Sequence, residues 1–290
     1  MTETAALTID LEWFEHTPAY RGAAGTADRE AIGIEGVSAL LDALDRHDAT
    51  ATWFTVAAIA ESRPDVLEEI VDAGHEIGSH TATHRLLSDV SPAEQRAEIG
   101  ESRETLQAVT GQSVGGFRAP AFDLAEDHFE RLDAAGYRYD ASVVPCRAIP
   151  GWYGGDHEIY RPAPATAVDP GAPADLYTVP TAVMPGLQLP LTGTWLRFFG
   201  PRYTVLGMRL LARRGIAPVL YVHPWEFVDL PDVPGVPRRV TVRTGEWMRR
   251  AVERILSTDF AFTTVESIVA EARADGDATG RGQPARGTTE

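Results

Sequence analysis

Lysine and asparagine are absent from this sequence of 290 residues, and cysteine occurs only once, as Cys146. All 26 basic residues are therefore arginine, and 42 acidic residues bring the formal net charge to −16 at pH 7. A single cysteine excludes an intrachain disulfide, and without asparagine there is no N-glycosylation site. So negative a chain argues against nucleic acid or an anionic membrane as a partner.

Two causes of the missing lysine stay open. Codon bias in a GC-rich genome removes lysine and asparagine together. An acidic surface without lysine also suits a halophilic protein, because concentrated salt screens charge repulsion within a few Å. Salt adaptation is a hypothesis that a melting temperature rising with KCl concentration would support.

Long apolar runs are also missing. No stretch approaches the ~18 apolar residues that a membrane-spanning helix needs. The chain opens with Met-Thr-Glu-Thr, which is acidic and unlike a signal peptide. We therefore expect a cytoplasmic protein with no membrane span. Cys146 has no histidine-rich surroundings and is interpreted as a small buried residue rather than a reactive thiol.

Apolar strand-like runs alternate with amphipathic helical stretches about seven times along the chain, which predicts a barrel of alternating strands and helices. We expect a single domain over residues 1–273 and a disordered polar tail over 274–290. Residues 20–34 are predicted as a loop, and the last helix as 266–273. Segment 147–190 is rich in proline and glycine and is predicted to be irregular. Its Trp152, Tyr153, His157 and Tyr160 either stack on sugar rings or simply hold the segment in place.

Polar residues recur where predicted strands end. They are Asp10, His80, Arg118, Asp140 and His223. A carboxylate among buried neighbours is costly unless it is paired or binds a metal. In a barrel of parallel strands these ends meet on one face, where active sites lie.

The spacing of His80 and His84 indicates a metal site. Two histidines at i, i+4 can place both imidazoles on one side of a helical turn. The alternative is a pair of surface histidines, and His16 or His75 could compete as ligands. A divalent ion held by two histidines and a carboxylate, with room for water, is a hydrolytic site. A further carboxylate could then act as base, and another histidine as acid.

Five short motifs occur in order along the chain. They are Thr8-Ile9-Asp10-Leu11-Glu12, Gly74-His75-Glu76-Ile77-Gly78-Ser79 followed by His80-Thr81-Ala82-Thr83-His84, Arg118-Ala119-Pro120, Tyr139-Asp140-Ala141-Ser142, and Leu220-Tyr221-Val222-His223. Over residues from about 5 to 270, this order resembles the polysaccharide deacetylase (NodB-homology) family of the carbohydrate esterase type. The last motif continues as His-Pro-Trp-Glu, which resembles a branch linked to extracellular or lipid-linked glycan synthesis, and Glu226 would add a contact there.

The resemblance implies an α/β fold, a distorted (β/α)7 barrel of the polysaccharide deacetylase type. It implies that Glu12, His80 and His84 bind a divalent metal, with Zn²⁺ expected and Co²⁺ or Ni²⁺ also suited. Asp10 would be the general base, held by Arg118. Many relatives carry two adjacent aspartates where this chain has Asp-x-Glu, so which acid touches the metal stays open.

The resemblance also implies that His223 is the general acid and that Asp140 orients it. The expected activity is metal-dependent removal of N-acetyl groups from an amino sugar in a polysaccharide or lipid-linked glycan. Two alternatives stay open: hydrolysis of a small cyclic amide or ureide, and a glycan-binding protein without catalysis.

Overall fold

The computed structural model describes residues 2–17, 20, 30–149, 154, 158–230 and 234–280. Its strands are β1 (Thr4–Leu11), β2 (Thr52–Thr55), β3 (Glu76–Ser79), β4 (Gly116–Phe117), β5 (Tyr139–Asp140), β6 (Ala163–Pro164), β7 (Tyr177–Thr178), β8 (Val219–Val222) and β9 (Ala261–Phe262). Its helices are α1 (Glu30–Arg46), α2 (Ala57–Ser62), α3 (Pro64–Asp72), α4 (Pro92–Thr110), α5 (His128–Ala134), α6 (Gly193–Phe199), α7 (Pro201–Ala212), α8 (Arg238–Thr241), α9 (Glu246–Leu256) and α10 (Val265–Gly280).

The strands form one sheet in the order β6-β7-β5-β4-β3-β2-β1-β8, and β9 pairs with the start of β1. All pairs are parallel except β6 with β7. The sheet curls, and the irregular segment 181–192 crosses its open side. There the Thr181 N–H donates to the Val143 carbonyl at 2.9 Å, and the Ala182 N–H donates to the Val219 carbonyl at 2.8 Å. The predicted fold, a distorted α/β barrel, is confirmed.

The register of the sheet brings the ends of distant strands together. The residues paired across adjacent strands are Ile9 with Val222, Leu11 with Thr55, Thr55 with Ser79, Ser79 with Phe117, and Phe117 with Asp140. The residue that follows each of these strands therefore emerges at the same carboxyl edge. This edge carries the candidate site.

Buried strands and capped helices follow from local sequence. β1 is buried from Ala5 to Leu11, as expected for a parallel strand covered on both faces. α4 begins after Ser91, whose Oγ accepts the Glu94 N–H. It ends at Gly111, whose φ of 67° suits a residue without a Cβ.

Several predicted boundaries differ from the structure. α1 already begins at Glu30, inside the predicted loop 20–34, and α10 continues past the expected end at Arg273 to Gly280. α2, α6 and α8 were not predicted, and most strands are shorter than their apolar runs. Residues 281–290 of the expected tail lie outside the described residues. None of the described helices is long and apolar enough to cross a bilayer.

The irregular segment is described in part. Tyr160 packs beside Cys146 and accepts a hydrogen bond from Gln188 at 3.1 Å, so it holds the segment against the core. Trp152, Tyr153 and His157 lie outside the described residues, and sugar stacking by them stays a prediction. Cys146 is buried, and burial raises the pKa of its thiol to about 11, as expected for an unreactive residue.

Candidate functional site

The loop after β3 holds both histidines of the predicted pair, but it is not helical. Thr81 and His84 have φ values of 66° and 58°, in the left-handed region. The His84 N–H donates to Thr81 Oγ1 at 3.0 Å, and the Thr83 N–H donates to Glu98 on α4 at 2.8 Å. These contacts define a tight loop, so the two histidines do not lie on a helical turn. The rings of His80 and His84 nevertheless lie 4.8 Å apart.

Glu12, just beyond β1, joins the two histidines. One ligand atom from each of Glu12, His80 and His84 lies within 4.8 Å of the others, and all three residues are buried. Donors around a tetrahedral zinc ion lie about 3.4 Å apart, so a small inward movement would fit the group to such an ion. His80 Nδ1 is 2.7 Å from the Arg118 carbonyl and is assigned as the donor, which turns Nε2 towards the cluster. Trp225 Nε1 donates to Glu12 Oε1 at 3.1 Å.

The charge states of this cluster suit a metal. Burial lowers the pKa of His80 to about 4, although nearby Asp10 works in the opposite direction. Burial alone would raise the pKa of Glu12, but His84, His223 and His80 hold it well below its usual range. At neutral pH, His80 is therefore a neutral imidazole and Glu12 a carboxylate, the forms that bind a cation.

Asp10 lies beside the three-ligand group and is held by Arg118. Arg118 is fully buried, and its Nη1 donates to Asp10 Oδ1 at 2.5 Å and to Thr8 Oγ1 at 2.8 Å. Its Nε donates to the Ala141 carbonyl at 3.1 Å. The other carboxylate oxygen of Asp10 is 3.8 Å from His80 Nε2. One oxygen is thus bound by arginine and the other faces the site, while the candidate ligand group found among the described residues contains Glu12 and not Asp10.

His223 follows β8 and reaches the site from another side. Its Nε2 lies 3.6 Å from Glu12 Oε1, and its ring stacks on Trp225 with 4.9 Å between ring centres. Its Nδ1 lies 3.3 Å from Glu226 Oε2, which also accepts the His223 N–H at 2.9 Å. Glu226 pairs in turn with Arg197 Nε at 2.8 Å, and this ion pair is buried.

The carboxylate of Glu226 favours a protonated His223. Burial alone would lower the pKa of His223, but Glu226 and Glu12 raise it above its ordinary value. Burial would raise the pKa of Glu226, but Arg197 and His223 lower it. A Cβ on Gly193 would lie 2.1 Å from Glu226 Oε2, so glycine at the start of α6 leaves room for this carboxylate.

Asp140 contacts other partners. Its carboxylate lies 3.0 Å from His128 Nε2 and accepts hydrogen bonds from the Ser142 hydroxyl at 2.5 Å and from Thr178 at 3.4 Å. Ser142 Oγ accepts the Ala119 N–H, so this group ties together the loops after β4 and β5. The prediction that Asp140 orients His223 is therefore wrong, and Glu226 takes that position because it follows His223 within the same short turn.

Sequence reasoning missed Arg197 and gave Glu226 only a general contact. A usable signal existed, since Arg197 interrupts the apolar run Trp195-Leu196-Arg197-Phe198-Phe199, where an arginine is costly unless it is paired. Of the competing histidines, His16 stacks on His84 with 5.7 Å between ring centres, and His75 packs against Trp53 before β3. Neither belongs to the ligand group found among the described residues.

Comparisons with known proteins agree with this architecture. Residues 24–139 match the family model "Polysaccharide deacetylase", and residues 141–270 match "Domain of unknown function (DUF3473)". Both matched segments contribute strands to the same sheet. The chain is 29% identical over 112 residues to a peptidoglycan deacetylase of Helicobacter pylori, covering 39% of this chain and 38% of that protein.

Two further relatives extend the comparison. A peptidoglycan-N-acetylglucosamine deacetylase of Bacillus cereus is 31% identical over 97 residues, covering 33% of this chain and 35% of that protein. The chain thus spans little more than a third of the length of these curated relatives. A solved structure described as a putative polysaccharide deacetylase from Mycobacterium smegmatis superposes with a TM-score of 0.66 at 22% identity. The superposition covers 95% of this chain and 92% of the chain in that structure, which shows a shared fold. Residues 24–139 are thus similar to the polysaccharide deacetylase family, and the fold shared with that solved structure extends over most of the chain.

Proposed function

We propose that this protein is a metal-dependent hydrolase that removes N-acetyl groups from an amino sugar. The main support is that the ligand group of Glu12, His80 and His84 lies next to a candidate base and a candidate acid. Asp10, held by an arginine, lies beside His80, and His223, which has a raised pKa, lies beside Glu12. A hydrolytic site requires these parts: a ligand set, a base and an acid.

The proposed metal is Zn²⁺, with Co²⁺ or Ni²⁺ as substitutes, because the ligand set of two imidazoles and one carboxylate suits all three. When bound, such an ion would lower the pKa of a water molecule and polarise the acetamide carbonyl. Glu12, His80 and His84 would hold it. Because His80 donates from Nδ1 to the Arg118 carbonyl, its Nε2 remains available to bind the ion.

The other residues would move protons. Asp10 would accept a proton from the attacking water through the oxygen that Arg118 does not bind. Arg118 would hold that carboxylate in one orientation. His223 would donate a proton from Nε2 to the departing sugar nitrogen, while Glu226 would hold its Nδ1 side. The products would be acetate and a free amino sugar.

We propose an N-acetylated polysaccharide or a lipid-linked glycan as substrate. The similarity of residues 24–139 to polysaccharide deacetylases, together with the names of the two bacterial relatives, supports an N-acetylated glycan. The lipid-linked alternative rests on the resemblance of the His-Pro-Trp-Glu motif, which stays a prediction. The cytoplasmic location also stays a prediction.

A paired measurement tests the proposal. Metal content and acetate release from N-acetylglucosamine oligomers are measured for the wild type, His80→Ala, and His47→Ala as a histidine control outside the cluster. We expect about one metal ion per chain and acetate release for the wild type and His47→Ala, and loss of both for His80→Ala. Bound metal without acetate release would indicate that the substrate is a lipid-linked glycan or a small amide. No metal after reconstitution would overturn the mechanism and favour a glycan-binding protein.

A further inference from the structure

Exposed apolar side chains concentrate on one side of the protein, around α6 and α7. Among the described residues, the large hydrophobic side chains exposed to solvent are Val109, Leu187, Phe198, Phe199, Leu206 and Val242. Only Val109, on α4, lies elsewhere. The Leu187 turn reaches α7 through the hydrogen bond from Tyr203 to the Leu189 carbonyl, and Val242 is tied to α6 by Arg197. We name the surface formed by Phe198, Phe199, Arg202, Leu206 and Arg209 the α6–α7 face.

Aromatic rings on this side form a continuous row. Trp195 stacks on Phe199 with 5.7 Å between ring centres and 16° between planes, and Phe199 contacts Tyr203 at 4.9 Å. Phe199 is nevertheless 51% exposed, and Leu206, farther along α7, is 54% exposed. Clustered apolar exposure of this kind marks an interaction surface. Tryptophan, tyrosine and phenylalanine are the residues that favour the boundary between lipid and water.

Arginines accompany the apolar side chains. Arg202, Leu206, Arg209 and Arg213 recur at i, i+4, i+7 and i+11, so they share one side of α7 and its end. All four are exposed. Within the described ranges, Arg202, Arg209 and Arg213 form no ion pair, since no carboxylate oxygen lies within 4.0 Å of their guanidinium nitrogens.

A groove of about 820 Å³ between α7 and α9 extends the basic surface. Four arginines and two acids line it: Arg202, Arg209, Arg250, Arg254, Glu253 and Asp259. Glu253 is paired with Arg46 and Arg250 is paired with Glu246, so one acid and one arginine of the lining are already neutralised. The groove and the α6–α7 face share Arg202, Leu206 and Arg209 and form one surface.

We infer that the α6–α7 face docks the protein on a bilayer surface that contains anionic lipids. The arginines complement lipid phosphates, and Phe198, Phe199 and Leu206 would enter the boundary between headgroups and acyl chains. A soluble phosphate would account for the arginines but not for the exposed rings. The net charge of −16 argues against an anionic membrane as a partner of the chain as a whole. At this face the local charge is basic, and salt screens the distant acidic groups beyond a Debye length of about 8 Å.

The docking face lies next to the candidate active site. α6 begins at Gly193, in close approach to Glu226, and Arg197 on the same helix pairs with that carboxylate. A protein docked through α6 and α7 would thus hold its site near the lipid surface, within reach of a glycan carried on a lipid. This last step rests on the proposed function, whereas docking itself does not.

Vesicle flotation tests the docking. The wild type is mixed with phosphatidylcholine vesicles that contain or lack phosphatidylglycerol, at low and high NaCl. The test variant is Arg202→Glu with Phe199→Ser. The matched control is Arg96→Glu with Val109→Ser on α4, which makes the same two kinds of change at exposed positions elsewhere. We expect binding only to anionic vesicles, weakened by NaCl, and a loss of about tenfold or more in partitioning for the test variant alone.

Three results would overturn the inference: no binding of the wild type to anionic vesicles, an equal loss in the matched control, or a dimer that the test variant dissociates and that excludes vesicles. Calorimetric binding of pyrophosphate without vesicle binding would also overturn it and identify a site for soluble anions. Melting temperatures establish that both variants fold. Acetate release from soluble oligomers should be unchanged in both, which separates failure of docking from failure of the proposed reaction.

Discussion

Replacing Glu226 by glutamine should move the alkaline limb of the pH–rate profile to lower pH. In the proposed mechanism His223 donates a proton only while it is protonated, so activity should fall as pH rises through its raised pKa. Glutamine keeps the size of the side chain but removes the negative charge 3.3 Å from His223 Nδ1. The pKa of His223 should then fall, and the rate should decline at lower pH than in the wild type.

The size of the shift follows from the contacts. An opposite charge at such a distance shifts a pKa by about one to three units. Arg197 shares the Glu226 carboxylate, and Glu12 remains 3.6 Å from His223 Nε2, so we expect the lower end of that range. Each unit corresponds to a tenfold change in the protonated fraction above the pKa, or about 1.4 kcal/mol.

The same substitution should destabilise the fold. It leaves Arg197 buried without its carboxylate, and breaking a buried pair in this way costs about 3–5 kcal/mol. The pKa of Glu226 is lowered in the folded protein from an ordinary value of 4.5, so its contribution to stability is present above that pH and is lost as pH falls. The loss in the variant should accordingly be larger at pH 7 than in acid.

The double variant Arg197→Met with Glu226→Gln separates the two effects. Removing both charges should recover much of the free energy of unfolding, measured by urea denaturation, while the alkaline limb stays shifted. The assay is acetate release across pH, with NMR titration of His223 as an independent measure of its pKa. An unshifted limb in the single variant, with His223 titrating as in the wild type, would refute the electrostatic role of Glu226.

Three further predictions concern the scaffold and the residue that holds Asp10. Gly36→Ala should lower the free energy of unfolding in urea by about 1–3 kcal/mol. The new Cβ would lie 1.9 Å from the Pro224 carbonyl oxygen, and a backbone atom cannot easily move away. Unchanged stability would show that α1 can shift freely. Arg118→Lys should abolish acetate release even where the protein stays folded by circular dichroism, since lysine cannot reproduce the contacts to Asp10, Thr8 and Ala141 together; activity within tenfold of the wild type would contradict this role. Ser91→Ala should cost about 1 kcal/mol of unfolding free energy through loss of the α4 cap, with acetate release unchanged; a selective loss of activity would mean that α4 acts on the His80–His84 loop.

The rule that parallel strands align their carboxyl ends predicts most of the candidate site from the sequence. Asp10, His80, Arg118 and His223 were expected at one edge because parallel strands align their carboxyl ends, and the structure brings them together. The same rule failed for the partner of Asp140. The alignment of strands determines the edge of the sheet on which a residue lies, but the direction of its side chain depends on the loops packed around it.

Local sequence therefore determined the strands, the cap and glycine stop of α4, and the residue types at the carboxyl edge, since hydrophobic period and turn chemistry act over a few residues. Tertiary structure alone decided that Arg197 holds Glu226 and that Glu226, rather than Asp140, orients His223. Arg197 and Glu226 meet only when α6 packs beside the turn after β8, and the close approach of Gly193 permits that packing. Ion pairs between distant residues leave no periodic signal, because their energy depends on burial and approach that only the folded chain provides.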